Sequence, residues 1–425
     1  MPQAAVKLSS GRAAWFARLL TLLVVFELTA IVGERVLNPF LNGRIRTVRE
    51  ELSEQTDMVR QMLDTSVKQL HEVHPELGWR YAPNYRKAPD QLNASALRSA
   101  REYSATPPPN VARIAAFGDS FTYGSEVEND EAWAFQVERD AGLEVLNYGV
   151  PGYGSDQAYI RYELEGADYA PELVLLGFAP TDLSREVNVY RRFFGNTEPP
   201  LFKPRFVLDK TGQLSLVQAP VRDRQGYEAL IAHPEAVIDF GANDQWFEPF
   251  IYRNPVYDYS AAVRLASRVL VRAGRRLDSD RLLTGGVFNT HATAFRIQLK
   301  LFEKFVSLAH GRQTMPLVLF LPDRPALEAI RYGKPPSYRP LLEETKSSGI
   351  EYLDAAEAFA AADLSAGTAR WFARFGHYNR EGSQVVATWL ANAVRARLAH
   401  RVSRCRPVDA SRPGEQGCDA VARRS

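Results

Sequence analysis

Ser120 follows an apolar run in the stretch IAAFGDSFTYG, residues 114–124, and His377 stands in RFGHYNREGSQVVA, residues 374–387. A serine hydroxyl is a weak nucleophile, so acyl transfer through it needs a neighbouring base, usually an imidazole, and donors for the developing oxyanion. An apolar strand that runs into Gly-Asp-Ser and then into small, turn-prone residues presents the serine at its end, with Asp119 beside it as a further supporting group. The plain alternative is that Ser120 caps the next helix. Of the seven histidines, His71 and His74 precede this region and His400 ends the last helical stretch. His377 lies in a loop of small and polar residues just before a C-terminal helix, and its alternative is ordinary surface.

The elements that must bring these two groups together alternate. VARIAAFGDS, LEVLNYG, ELVLLGFA, MPLVLFLP and IEYLDA read as buried strands, and DEAWAFQVERDA, SDQAYIRYELEGA and REGSQVVATWLANAVRARLA read as helices. Strands alternating with helices predict a mostly parallel sheet covered on both faces. Ligands of such sheets bind beyond the carboxyl ends of the strands, where FGDS, NYGVPG and FAPTD all stand. Between about 187 and 312 the alternation breaks into an insertion. It holds a predicted hairpin, PRFVLDKTGQLSLVQAP, and an amphipathic helix, SAAVRLASRVLVRAGRRL.

AAFGDSFTYG, VLNYGVPGYGSDQ and GHYNREGSQVVA, in this order, resemble the SGNH (GDSL-like) hydrolase family over residues 111–186 and 316–398. The resemblance implies a three-layer α/β/α, flavodoxin-like fold, with Ser120 as nucleophile, His377 as base and the Gly152 N–H as an oxyanion donor. Two positions depart from the family pattern. Arg374 stands where the family carries an Asp three residues before the histidine, which leaves a backbone carbonyl or Asp354 to orient the imidazole. In the third motif the family's Gly-x-Asn-Asp is GFAPTDL here, with Thr181 in place of Asn as oxyanion donor and Asp182 retained. A literal Gly-Ala-Asn-Asp, containing Asn243, occurs later inside the insertion.

These motifs imply a serine ester hydrolase or O-acyltransferase acting on an acylated surface glycan or a small ester. The rival expectation is a relative that has lost catalysis and binds glycan or scaffolds a polysaccharide assembly system. The histidines and acids lack metal-ligand spacing, and glycines 118, 124, 149, 152 and 154 are not followed by Gly-Lys-Ser/Thr, so no metal and no cofactor is expected. A formal net charge of +2 gives no ground for a nucleic-acid partner.

Residues 13–33, AAWFARLLTLLVVFELTAIVG, have the length and composition of a single transmembrane anchor, with Glu27 as the costly exception. Residues 43–75 carry apolar positions at helical spacing and read as a stalk or as a helix packed on the domain. Arginines flank the apolar run on both sides, so the positive-inside rule does not orient it. Cys405 and Cys418 in the 401–425 tail suit a small disulfide loop, which favours an extracytoplasmic, periplasmic catalytic domain (111–398); two free thiols are the alternative.

Overall fold

The computed structural model describes residues 10–38, 45–195 and 197–404. Cys405, Cys418 and the rest of the tail lie outside the described residues. The elements that matter for function are, in chain order, α1 (Ser10–Leu37), α2 (Val48–Leu63), β1 (Arg113–Phe117), α3 (Ser120–Tyr123), α4 (Trp133–Ala141), β2 (Glu144–Asn147), α5 (Ser155–Glu165), β3 (Leu173–Phe178), α6 (Ala261–Leu277), α7 (Thr293–Gly311), β4 (Met315–Phe320), β5 (Tyr352–Asp354) and α8 (Arg380–Arg404).

The chain divides into two compact units. One takes Tyr81–Leu183, Gly285–Thr290 and the residues from Gln298 on. Its sheet has five parallel strands in the order β2-β1-β3-β4-β5. That is the flavodoxin-like order, and it reverses at β1, where the chain leaves towards β2 and returns to β3 on the other side. Side chains alternate across each strand. Ile114, Ala116, Leu173, Leu175, Leu317, Leu319 and Leu353 face one side and pack with Trp133 and Val137 of α4 and Val386, Leu390 and Val394 of α8. The opposite face is aromatic. Phe117 packs on Tyr162 of α5, and Phe178 and Phe320 pack on Phe302 of α7. The result is a three-layer α/β/α arrangement, with the flavodoxin-like strand order expected for this part of the chain.

The other unit takes the chain up to Arg80, Ser184–Thr284 and His291–Ile297, so most of the insertion folds with the N-terminal region. The predicted hairpin pairs Arg205–Leu208 antiparallel with Leu214–Val217. α2 is the amphipathic helix expected from residue 43, but it is shorter and it is packed. Thr47 and Glu50 form a capping box at its start. At its end Asp64 turns extended and its carboxylate accepts from the Ser66 N–H at 2.8 Å, a local turn that competes with further helix. Residues 71–74 are strand, not stalk. The Val48 N–H donates to Asp258 at 2.7 Å, and Gln55 accepts from the Tyr190 hydroxyl at 2.6 Å, so α2 lies against the insertion. α1 is, by length and composition, apolar enough to cross a membrane over Arg12–Leu37.

Candidate active site

β1 runs directly into Gly118 and Asp119 because α3 begins almost on top of the strand end. A Cβ on Gly118 would stand 2.1 Å from the Thr122 hydroxyl oxygen, so only glycine lets the first turn of α3 fold back over the strand end. Asp119 caps that turn. Its Oδ1 accepts from the Phe121 N–H at 2.8 Å, and its Oδ2 accepts from the Ser120 hydroxyl at 3.4 Å. The second distance is long for an O–H···O bond. Trp133 fixes the next residue by donating its indole N–H to the Phe121 carbonyl at 2.9 Å. Ser120 is thus buried at the carboxyl end of β1, at the point where the strand order reverses.

His377 enters from a tight loop ahead of α8. The Ala373 N–H donates to the His377 carbonyl at 2.8 Å, and Gly376 takes φ +96 within that turn. The imidazole packs against the Phe121 ring at 5.3 Å between centroids, which places it beside the residue that follows Ser120. Tyr378 holds the same ring edge-on at 5.1 Å and donates its hydroxyl to the Pro322 carbonyl at 2.7 Å. Ser120 and His377 share no direct hydrogen bond.

The orienting acid is Glu126. Its Oε2 lies 2.7 Å from His377 Nδ1 and accepts from the His377 N–H at 3.0 Å, while Oε1 accepts from the Phe375 N–H at 2.7 Å. One carboxylate therefore fixes both the ring and the loop that carries it. Burial pushes the Glu126 carboxyl up. The hydrogen bonds from Phe375 and His377 more than offset this and hold it below the ordinary glutamate range. An ionised carboxylate only accepts, so Nδ1 carries the proton and Nε2 is left as the acceptor, the tautomer a general base requires.

Glu126 sits at φ +69, a left-handed conformation unusual for a side chain of its size, and its surroundings impose it. Arg98, buried, donates to the carbonyls of Tyr123 and Gly124 on one side, and to the Val127 carbonyl and the Asn129 side chain on the other. Its guanidinium also lies 4.2 Å from the centre of the Tyr123 ring. Neither Glu126 nor Arg98 belongs to a motif that the sequence analysis used. Their signal in the sequence is no more than an acid six residues past the serine and an arginine ahead of the first strand.

The other expected residues fall as follows. Gly152 takes φ +86 in the turn after β2, a turn drawn towards the serine because the Val150 N–H donates to the Gly118 carbonyl at 3.0 Å. Among the described residues neither the Gly152 nor the Ser120 N–H donates to an acceptor, so both remain available to an oxyanion. Thr181 is exposed, and Asp182 is buried, its Oδ2 accepting from the Ala179 N–H at 3.0 Å. Asp354 does not orient His377. It projects to the sheet face opposite Leu353, where it accepts from the Tyr338 hydroxyl at 2.9 Å and the Ala356 N–H at 3.0 Å. Burial raises its carboxyl above the ordinary range. Arg374, three residues before His377, is exposed and lies over the Phe375 ring. Asn243 belongs to the unit that lacks the serine and the histidine, and its main-chain carbonyl accepts from Arg205 at 3.0 Å. Asp244 beside it is buried and accepts from the N–H groups of Val189, Tyr190 and Trp246, a structural knot of that unit.

No protein-family model matches the chain, and no curated protein matches it. Solved structures are similar at low identity. A member of the lipolytic protein G-D-S-L family from Veillonella parvula is 13% identical, with 68% of this chain and 100% of that chain covered and a TM-score of 0.33. The lipase/acylhydrolase from Enterococcus faecalis is 12% identical, with coverage of 68% and 97% and a TM-score of 0.33. An acetyl xylan esterase from the rumen bacterium Butyrivibrio proteoclasticus is 9% identical, with coverage of 69% and 66% and a TM-score of 0.31.

Proposed function

We propose that the chain is a membrane-anchored serine ester hydrolase or O-acyltransferase in which Ser120 is the nucleophile, His377 the general base and Glu126 the residue that positions the base. The observation that carries this reading is the 2.7 Å contact between Glu126 and His377 Nδ1, made from the segment that leaves Ser120. It supplies the acid whose place in the family pattern is taken by Arg374.

The serine hydroxyl swings from its long contact with Asp119 towards Nε2, a small cost because that contact is weak; catalytic hydrogen bonds are often long before substrate binds. Nε2 takes the hydroxyl proton as Oγ bonds to the ester carbonyl carbon. The carbonyl oxygen becomes an oxyanion, held by the N–H groups of Ser120 and Gly152. Collapse expels the alcohol, which takes the proton back from Nε2, and leaves an acyl-serine. Water, or a sugar hydroxyl, then attacks that ester with His377 again as base, which releases the acid or the transferred ester and restores Ser120. An acetyl or short acyl group on a surface glycan is the substrate class, with the catalytic unit on the extracytoplasmic, periplasmic side of a single-pass anchor.

The test is turnover of p-nitrophenyl acetate by the full chain beside Ser120→Ala. Equal rates would overturn the enzyme reading. A second reading, a glycan-binding relative without catalysis, draws support from the Ser120 hydroxyl resting on Asp119 and from an exposed Thr181 in place of an amide. A fluorophosphonate probe separates the two. The enzyme labels at Ser120, whereas the binder stays unlabelled and still retains acylated glycan.

A further inference from the structure

We propose that α6 is a membrane-surface helix, seated at the acyl-chain and headgroup boundary of an anionic bilayer beside α1. This rests on the reading of α1 as the anchor and goes beyond it, because α6 lies far away in sequence, inside the insertion.

The first observation is how Glu27, the one acid within the apolar run, is satisfied. Its carboxylate accepts from the Ser260 hydroxyl at 2.7 Å, from the Ala261 N–H, and from the Ala262 N–H at 3.4 Å. It thus meets the open N–H groups of the first turn of α6. One helical stretch further on, Glu34 takes a two-pronged ion pair from Arg264 at 2.6 and 2.9 Å, and Leu265 packs towards Gly33. α6 therefore starts level with Glu27. That start is roughly 9 Å along the α1 axis inside the end of the apolar run at Gly33. By Arg264 and Leu265 the helix has reached the level of Glu34 and Gly33, so Val269 and Leu270 follow on the headgroup side of that boundary, in the zone an interfacial helix occupies.

The second observation is what α6 leaves uncovered. Ser267 and Val271 turn towards the unit's own core. Ala262, Ala266, Val269, Leu270, Ala273 and Leu277 fall on one separate arc of the helix, and Val269 and Leu270 are 66% and 62% exposed. An apolar stripe of this kind, alongside an anchor whose own apolar side chains are exposed, needs a covering phase. Charge selects that phase. Arg264, Arg268 and Arg275 are engaged with Glu34, the Tyr257 hydroxyl and Glu248. Arg272 and Arg276 are exposed, flank the stripe and lie further from the Glu27 level than Leu270. There they can lay their stems on the apolar boundary and their heads at lipid phosphates. Tyr259, just before the helix cap and 75% exposed, is an aromatic type enriched at membrane boundaries.

The test uses the full chain with Cys405→Ser and Cys418→Ser, and one new cysteine at a time carrying an environment-sensitive fluorophore: Ala266→Cys, Leu270→Cys, Leu22→Cys for the anchor and Tyr332→Cys for exposed surface. The proteins are reconstituted in vesicles of phosphatidylcholine with phosphatidylglycerol, and of phosphatidylcholine alone. The labels at 266 and 270 should be quenched by spin-labelled lipid and shielded from iodide. Arg272→Gln and Arg276→Gln should each lower the docked-to-undocked ratio about fivefold in the anionic vesicles, and far less in the neutral ones. A label at 270 as open to iodide as the one at 332 overturns the proposal, as does shielding that comes from a 270-to-270 cross-link between two copies. The label at 22 reports on the anchor separately. If it is embedded while 266 and 270 are wet, the surface helix fails and the anchor stands; if it is wet while 266 and 270 are lipid-quenched, the anchor fails and the surface helix stands.

Discussion

The two ends of β1 use charge in opposite ways. At its start, Arg113 is fully buried and donates twice to Glu144 Oε2, at 2.8 and 2.6 Å, and to the carbonyls of Ser104 and Tyr169 at 2.8 and 2.6 Å. Arg101 closes the cluster from outside with a further bond to Glu144. At its finish, Asp119, Glu126 and His377 are also tied down, but the Ser120 N–H, the Gly152 N–H and His377 Nε2 have no partner among the described residues. The first end ties its charged groups to one another and to main-chain carbonyls. The second leaves donors open and pins the groups around them, the arrangement that the proposed reaction requires. Substitutions at the two ends should therefore separate activity from stability.

The largest effect expected is Ser120→Ala. Loss of the proposed nucleophile should lower kcat/KM for p-nitrophenyl acetate on the order of 10⁶-fold, down to what binding and the proposed oxyanion donors supply. The melting temperature should stay within a degree or so, because the lost contact with Asp119 is weak. A large drop in melting temperature would mean that Ser120 serves the fold like its counterparts at the other end of the strand.

Glu126→Gln comes next, on the order of 10⁴-fold in kcat, the scale seen when the acid of a serine triad becomes an amide and the histidine tautomer is lost. The amide oxygen can still accept from the Phe375 and His377 N–H groups, so the loop is kept and the charge removed. A merely structural glutamate would leave kcat unchanged in Glu126→Gln while Glu126→Ala loosens the loop.

These positions also show where sequence reasoning carries and where it stops. All five central strands are visible as short apolar runs, because a strand buried on both faces cannot alternate with polar residues. Ser120 and His377 stand out in the sequence because each lies at a strand or helix boundary among small and polar residues. Glu126 is not. Its role depends on a contact across 251 positions and on a left-handed backbone that no residue preference announces; Arg98, through tertiary contacts, imposes it. Asp354 looked suitable by type and strand-end position, yet the parity of a three-residue strand sends it to the wrong face. The apolar pattern of 43–75 was helical in period, but a single aspartate turn after Leu63 ended it.

At the other end of the strand, Glu144→Ala strands the buried Arg113 guanidinium and should cost about 3–5 kcal/mol of stability. Turnover per folded molecule should hold at its full value. Denaturant melts read beside active-site titration with a fluorophosphonate would check both halves. A proportionate loss of turnover per labelled site would erase the distinction between the two ends.

The smallest effect is on the pH dependence of stability. Glu126 has a folded-state affinity for protons below that of the unfolded chain, so ionisation in the folded state stabilises. Its contribution is complete above the unfolded glutamate value of about 4.3. It falls as pH drops through the window between that value and the lowered folded one, where the unfolded chain binds the extra proton, and it is gone below. Asp354, raised by burial, works in the opposite sense and loses stability as pH rises through its own window, so the wild-type curve mixes the two. The melting-temperature difference between wild type and Glu126→Gln removes the Asp354 part. It should be positive and flat near neutrality, then shrink towards zero as the solution is acidified past the glutamate range. A difference that stays constant through acid would mean that Glu126 holds the His377 loop through the shape of its hydrogen bonds alone, and the charge assigned to the site would have to come from elsewhere.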